Sequence, residues 1–231
     1  MHHSAMKNCQ EFYECYSPFF GNDLVSVVEI GSQNVNGSIR DACPANFAYT
    51  GLDFVSGDGV DIVLDDPYKL PLNDESADIV VSSSCFEHSE MFWVLFLEIM
   101  RILKPRGLFY LNAPSNGSFH RYPVDCWRFY PDSGKALEHW ARHNSLNSLL
   151  LESYTSDQTD DQWNDFVAVF LKDERFLSDF PKRIVERKED FNNGVVYGSS
   201  GLIKPVFIPE DVKKLLAIDL IIKKQIKINL S

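Results

Sequence analysis

The stretch that decides the fold is residues 25–31, VSVVEIG, a β-branched run that ends in an acid, an isoleucine and a glycine. A short apolar run closed by glycine is typical of a buried strand in a parallel sheet. Comparable runs follow at residues 47–53, 60–64, 77–82 and 108–113. Residues 91–103 are apolar except for Glu98 and Arg101, which predicts a buried helix. Strands that alternate with helices predict an α/β protein with a mostly parallel sheet.

Two later strands, at residues 149–155 and 166–171, are separated by a polar loop too short for a crossover helix, so they must be antiparallel. This gives seven predicted strands. The composition changes after residue 173, where a charged segment is followed by a Gly/Ser/Asn loop at residues 192–201. We therefore divide the chain into an N-terminal segment, 1–20, a domain, 21–173, and a C-terminal extension, 174–231. The extension is expected to pack on the domain or on a partner subunit, as in a homodimer.

The composition excludes several classes of protein. The chain has 231 residues, 45% of them hydrophobic, and 33 acids against 22 bases give a formal charge of −11, which would repel nucleic acid. The five cysteines are scattered and form no C-x-x-C pair, which favours reduced thiols in a cytoplasmic protein and gives no zinc motif. The apolar runs are all shorter than the ~18 residues that a membrane span needs. We expect a cytoplasmic protein with no membrane span.

The loop after the first strand carries two glycines, and an acid follows about twenty residues later. Gly31 allows a tight turn with close backbone approach, and Gly37 lets a helix begin near a ligand. Asp53 ends the second strand, where a carboxylate can accept two hydrogen bonds from a ribose diol. Taken together, these features favour a nucleoside-binding sheet edge. The spacing differs from that of the G-x-G-x-x-G dinucleotide motif.

Five motifs in order carry a resemblance to a known family. They are EIG at 29–31, GLD at 51–53, DDPYKLPLNDESADIVVS at 65–82, FEH at 86–88 and LKPRGL at 103–108. Over about residues 20–173 the chain resembles the class I S-adenosylmethionine-dependent methyltransferases, and more specifically their type 11 small-molecule branch. The resemblance implies a Rossmann-like seven-stranded sheet, S-adenosyl-L-methionine as cofactor and S-adenosyl-L-homocysteine as product.

The resemblance also implies which residues hold the cofactor. The loop from Glu29 to Gly37 would pass under the methionine part, Asp53 would hold the ribose, and Asp65 or Asp66 would lie at the adenine edge. The full implied set is Glu29, Gly31, Ser32, Gln33, Gly37, Asp53, Phe54, Asp65, Asp66, Ser84 and Cys85. The family usually has a second glycine two residues after the first, where this chain has Gln33, so the path of the loop is open.

The loop after the fifth strand, residues 112–132, is the most unusual part of the chain. It crowds histidine, arginine and aromatic residues together where open α/β sheets bind ligands. Residues 120–129, HRYPVDCWRF, resemble a stretch of methyltransferases associated with glycan or polysaccharide synthesis. The expected substrate-binding residues are His88, Arg121, Tyr122, Trp127 and Arg128. The alternative is a self-packed cap in which Arg128 pairs with Asp125 and Trp127 is buried.

These observations predict an enzyme that methylates a small acceptor, most simply a hydroxyl group of a sugar or glycan precursor. A hydroxyl acceptor benefits from a general base, and His120 is the expected catalytic residue. No cluster of metal ligands accompanies either His88 or His120 in the sequence, so no metal site is predicted. Two alternatives stay open: a non-catalytic cofactor- or glycan-binding module with the same fold, and an N- or carboxyl-methyltransferase of a small metabolite.

Overall fold

The computed structural model describes residues 2–21, 24–159 and 161–223. Its α-helices are α1 His3–Tyr16, α2 Phe92–Ile102, α3 Ser133–His143 and α4 Glu210–Ile222. Its strands are β1 Ser26–Ile30, β2 Ala48–Asp53, β3 Ile62–Val63, β4 Ala77–Ser83, β5 Leu103–Pro114, β6 Leu149–Ser156, β7 Asp165–Leu171 and β8 Phe191–Val196. Short 3-10 helices lie at Ser17–Phe20, Ile39–Ala42, Phe86–His88, Glu174–Asp179 and Ile184–Glu186.

All eight strands form one sheet in the order β3-β2-β1-β4-β5-β7-β6-β8. The five strands from β3 to β5 are parallel, and β7, β6 and β8 each pair antiparallel with a neighbour. The predicted α/β fold, a mostly parallel Rossmann-like sheet with an antiparallel C-terminal hairpin, is confirmed. The strand order places β1 beside β4 in the middle, so their carboxyl ends share one edge of the sheet.

The sheet has one strand more than the seven predicted. Strand β8 pairs with the outer side of β6, in the region predicted as a loop from its Asn-Asn-Gly composition. Asn193 has a left-handed backbone (φ 52°), and Asn192 donates a hydrogen bond to Asp157. Asparagine is a poor strand former. Strand β8 therefore forms because it pairs with β6, and not because of the conformational preference of its own residues. The division into a domain at 21–173 and an extension at 174–231 stays a prediction.

The crossover after β1 also differs from the expected alternation of strands and helices. Gly37 is followed by a single 3-10 turn, Ile39–Ala42, which Ser38 caps by accepting a hydrogen bond from the Arg40 amide. Pro44 follows after one residue, Cys43, so the turn cannot extend into an α-helix. Strand β5 begins at Leu103, five residues before the predicted strand at 108–113, so the end of the predicted helix at 91–103 and the residues after it belong to β5. A register shift between Ala77 and Ile79 of β4 accommodates it.

Two apolar layers cover the sheet. On one face α2 and α3 pack over β4, β5 and β7, with Phe96, Phe109 and Phe170 in the centre. On the other face α1 packs over β5 through Phe12 and Tyr110. Helix α1 supplies the cover that the missing crossover helix would give. In the described part of the chain, none of the helices combines the length and apolarity that crossing a membrane requires.

The α1 face also holds a carboxyl group in the middle of the sheet. Glu29 on β1 is 1% exposed, and its carboxylate accepts a 2.9 Å hydrogen bond from the Tyr49 hydroxyl on β2. Burial raises the pKa of Glu29 from 4.5 to about 7, while the hydrogen bond from Tyr49 acts in the opposite direction. The Glu29 side chain therefore links β1 to β2, and it does not line the main cavity of the protein.

The raised pKa of Glu29 predicts a pH-dependent stability. Because the folded chain keeps a proton that the unfolded chain has released, the free energy of unfolding falls as pH rises from 4.5 through about 7. Glu29→Gln keeps an acceptor for Tyr49 and has no charge to bury. Relative to the unsubstituted chain, its stability should therefore gain about 2 kcal/mol between pH 5.5 and pH 8, measured by urea denaturation at each pH.

The matched control is Glu189→Gln, because the Glu189 side chain is exposed. Its stability difference from the unsubstituted chain should not change over this pH range. A difference for Glu29→Gln that is equally flat would contradict the assigned pKa.

Candidate active site

The main candidate site is a cavity of about 490 Å³ at the carboxyl ends of β1, β2 and β4. Its volume lies within the range of about 300–1,000 Å³ that is usual for ligand pockets. Four loops enclose it: the glycine loop (residues 31–38), the loops after β2 and β4, and the cap loop (residues 115–132), which joins β5 to α3. The sequence predicted the site at this edge of the sheet.

The glycine loop approaches the loop after β4 so closely that no side chain fits at Gly31. Gly31 has a φ of 82°, and a Cβ placed on it would lie 2.6 Å from the Cβ of Cys85. The Gly31 and Ser32 amides both donate to the carbonyl of Leu52 at the end of β2. The loop is therefore fixed between two neighbouring strands, with Cys85 as part of the wall. Burial raises the pKa of the Cys85 thiol to about 12, so it stays protonated.

Gln33, at the position where the family that the sequence resembles usually has a second glycine, links three parts of the site. Its amide donates to Asp53 Oδ2 (3.1 Å), and its side-chain carbonyl accepts from the Tyr122 hydroxyl of the cap loop (2.9 Å). Gly37 has a φ of 112° and donates its amide to Asn34 Oδ1. The glycine loop thus keeps a defined path without the second glycine.

Asp53 is 8% exposed at the end of β2 and lines the cavity. One carboxylate oxygen accepts from the Gln33 amide and the other from the Val55 amide. Since a carboxylate oxygen has two lone pairs, each oxygen keeps one for a ligand. Phe54, the next residue, is 46% exposed, so its aromatic ring is accessible next to the two oxygens of the Asp53 carboxylate.

The structure brings most of the predicted cofactor residues to the cavity. The ones that line it are Gly31, Gln33, Gly37, Asp53, Phe54, Ser84 and Cys85. The remaining ones, Glu29, Ser32, Asp65 and Asp66, lie outside its lining. Asp66 accepts a hydrogen bond from the Tyr68 amide, and at this end of the cavity the lining consists of Leu64, Pro67 and Tyr68.

Two imidazoles form the opposite wall. The rings of His88 and His120 lie perpendicular, with centroids 5.0 Å apart. His88 Nδ1 is 2.5 Å from the Val124 carbonyl, and His120 Nδ1 is 3.0 Å from the Ser118 carbonyl. A carbonyl oxygen can only accept, so Nδ1 of each ring donates and Nε2 carries the lone pair of the neutral ring. Burial lowers the pKa of His88, which keeps that ring neutral.

Glu87 lies behind these imidazoles and is 1% exposed. Its Oε1 is 3.6 Å from His88 Nε2, and its Oε2 is buried without a hydrogen-bond partner in the described part of the chain. Burial raises the pKa of Glu87 to about 8. The sequence shows no metal-ligand cluster at either histidine, and here the structure differs: ligand atoms of Glu87, His88 and His120 all lie within 4.8 Å of one another.

The cap loop is held by an ion pair that does not line the cavity. Arg128 donates to both oxygens of Asp125 (2.6 and 2.9 Å), and the same carboxylate accepts from the His120 amide. The guanidinium of Arg128 holds the pKa of Asp125 at about 2. Trp127 donates to the Ser89 carbonyl and packs against α2. Trp127 and Arg128 thus brace the loop, while His88, His120, Arg121 and Tyr122 line the cavity.

Sequence reasoning missed three residues at this wall. Glu87 was noted only as part of a family motif, and its burial is a tertiary property. His2, just before α1, lines the cavity, and its ring lies 4.4 Å from that of Trp163. Trp163 in turn lies 5.5 Å from His120. No local pattern predicts that the N-terminus and the β6–β7 loop reach the cap loop.

Comparison with known proteins agrees with this architecture. Residues 37–111, about a third of the chain, match a family model described as a methyltransferase domain. No curated protein sequence matches the chain.

Two solved structures illustrate the shared fold. One is the 1,6-didemethyltoxoflavin-N1-methyltransferase of Burkholderia thailandensis with bound S-adenosylhomocysteine, at 13% identity, TM-score 0.56, and coverage of 74% of this chain and 79% of that one. The other is a proposed sarcosine dimethylglycine methyltransferase from Galdieria sulphuraria, at 13% identity, TM-score 0.54, and coverage of 73% and 86%. At such identities the likeness establishes the fold. Together with the matched domain, it indicates an S-adenosylmethionine-dependent methyltransferase, with S-adenosylmethionine as the cofactor.

Proposed function

We propose that this methyltransferase transfers a methyl group to a hydroxyl oxygen of a small polar acceptor, a sugar or glycan precursor. The observation that carries the proposal is the His88–His120 wall, where each imidazole donates Nδ1 to a backbone carbonyl and keeps a lone pair on Nε2. A cytoplasmic location and a homodimer stay predictions.

The residues around the glycine loop fit the cofactor. Gly31 lines the cavity without a side chain, and Asp53 keeps free lone pairs for a ribose diol. We assign the methionine part to the loop from Gly31 to Gly37, the ribose to Asp53 and the base to Phe54 and its neighbours. S-adenosylmethionine supplies a methyl group on a sulfonium that is already activated, so the protein's part is to place the acceptor and accept its proton.

The acceptor side of the cavity is polar. His88, His120, Arg121 and Tyr122 line it. These side chains can donate to or accept from several hydroxyl groups, which suits a sugar better than an apolar metabolite. In the proposed reaction the acceptor oxygen would bond to the methyl group as the methyl–sulfur bond of S-adenosylmethionine breaks and S-adenosylhomocysteine leaves, and the acceptor proton would pass to Nε2 of His120. The Ser118 carbonyl on Nδ1 stabilises the imidazolium that results.

The first test concerns the cofactor assignment of Asp53. Asp53→Ala removes the two acceptors proposed for the ribose hydroxyls, so the Kd for S-adenosylhomocysteine should rise about 10-fold or more in calorimetric titration. Asp65→Ala is the matched control, because Asp65 lies outside the cavity lining, and its Kd should stay within twofold. Undiminished binding by a folded Asp53→Ala variant would contradict the assignment.

The second test concerns the acceptor and His120. Methyl transfer to a panel of sugars, nucleotide sugars and amines is followed by mass spectrometry. For a hydroxyl acceptor, His120→Ala should lower kcat about 10²- to 10⁴-fold and leave S-adenosylhomocysteine affinity unchanged. His139→Ala, an exposed histidine on α3, is the control and should keep full activity.

The same experiment separates the rival functions. A nucleophilic amine needs no base, so methylation of amines at a rate that His120→Ala leaves unchanged would favour an N-methyltransferase. Methylation of a carboxylate would favour the carboxyl-methyltransferase. Cofactor binding with no turnover of any acceptor, including those in a cell extract, would favour a non-catalytic binding module.

A further inference from the structure

A carboxylate and two imidazoles meet at the acceptor end of the cavity. The ligand atoms of Glu87, His88 and His120 lie within 4.8 Å of one another, with Glu87 buried and both histidines half-buried. We propose that these three side chains bind a divalent transition-metal ion of the zinc class. The proposal rests on the proposed function and deepens it, because it assigns a ligand to the acceptor side of the same site.

The unpartnered oxygen of Glu87 is an independent observation that points to a ligand. Oε2 is buried and has no hydrogen-bond partner among the described residues, and Glu87 as a whole is 1% exposed. An unpartnered buried carboxylate oxygen costs free energy unless a donor or a cation satisfies it. The nearest imidazole nitrogen of His88 is 3.6 Å from Oε1, too far for a hydrogen bond. A cation between these groups would satisfy the carboxylate.

The surroundings of the two imidazoles match those of metal-binding histidines. Such histidines almost always donate their second nitrogen to a carbonyl or carboxylate, which fixes the tautomer and the ring orientation. Here the Val124 carbonyl accepts from His88 and the Ser118 carbonyl from His120, so both Nε2 atoms are free to act as ligands. The Asp125 carboxylate lies 3.6 Å from His120 Nδ1 and is itself held by Arg128. If the site supplied only a general base, one imidazole held in this way would be enough.

The donor set selects the class of ion. Two imidazoles and one carboxylate suit zinc and other borderline transition metals, whereas magnesium and calcium prefer oxygen ligands. Tetrahedral zinc with bonds of about 2.0–2.2 Å places its ligand atoms roughly 3.4 Å apart, so ligand atoms separated by 4.8 Å must approach one another by about 1.4 Å on binding. His88 is the last residue of a 3-10 helix and His120 lies in the cap loop, and side chains at such positions can make this movement.

Three protein ligands leave a coordination position open, and the cavity is where it can be filled. A hydroxyl oxygen bound there would release its proton to water in the cavity more readily, because a bound divalent cation lowers the pKa of oxygen ligands. With the ion bound, Nε2 of His120 would be a metal ligand, so the base role proposed above would apply to the metal-free protein. This role would also account for Glu87 and His88, which the base role of His120 does not require.

The experiment is a metal titration of the full chain after dialysis against a chelator. Zinc binding is measured by calorimetry, and cobalt substitution is measured by the visible absorption of the tetrahedral ion. We expect one equivalent in both measurements. Glu87→Gln and His88→Ala should each weaken zinc binding at least 10-fold, comparable to or larger than the effect of losing an outer-shell partner. Glu87→Gln keeps the shape of the side chain, so it guards against a folding defect.

The controls remove side chains outside the proposed site whose chemistry would also allow them to bind zinc. Cys126→Ala removes an exposed thiol of the cap loop, and His139→Ala removes an exposed histidine of α3. Both variants should still bind one equivalent of zinc. Absence of saturable binding, or binding that Glu87→Gln and His88→Ala leave undiminished, would overturn the proposal.

Chelator-treated protein separates this proposal from the proposed function. Hydroxyl methylation that continues at full rate without metal would overturn the metal site and leave the proposed function standing. Zinc binding that depends on Glu87 and His88, in a protein that methylates only amines, would support the metal site and overturn the hydroxyl acceptor.

Discussion

The contact between Gly31 and Cys85 is the constraint on which the rest of the site depends. Since a Cβ on Gly31 would lie 2.6 Å from that of Cys85, the loops after β1 and β4 can approach only through a glycine. Their approach closes the floor of the cavity and aims the glycine loop toward Asp53 at the end of β2. The parallel order β2-β1-β4 then brings three strand ends to one place.

The cap loop owes its shape to a second constraint, the pairing of Asp125 with Arg128. One carboxylate takes up the guanidinium and the His120 amide, so the direction of the loop and the position of the imidazole are fixed together. The Glu87 carbonyl accepts from the Cys126 and Trp127 amides and ties the same loop to the turn after β4. Some charged and aromatic residues of the cap loop therefore hold the loop in place, and others line the cavity.

The sequence predicts the parts of this protein that depend on local patterns. The run of residues 25–31 predicts β1 and its glycine turn, and the acid at Asp53 marks the next strand end, because strand burial and turn geometry are local. The eighth strand depends on pairing with β6, which composition does not reveal. The meeting of Glu87 with His120 depends on how the cap loop folds back over the turn after β4. The residue types in the cap loop indicate binding chemistry. Only the packing of the loop shows that Arg121 lines the cavity whereas Arg128 pairs with Asp125 and supports the loop.

The hydrogen bond between Tyr122 and Gln33 has a consequence for how the two halves of the cavity communicate. It joins the loop assigned to the cofactor with the loop assigned to the acceptor, and Gln33 also contacts Asp53 through its amide. A ligand that moves one loop therefore changes the energy of the other. Such linkage is thermodynamically reciprocal, so occupancy of either half alters affinity in the other by the same factor. Gln33 thus supplies a direct contact through which the two halves of the cavity can be coupled.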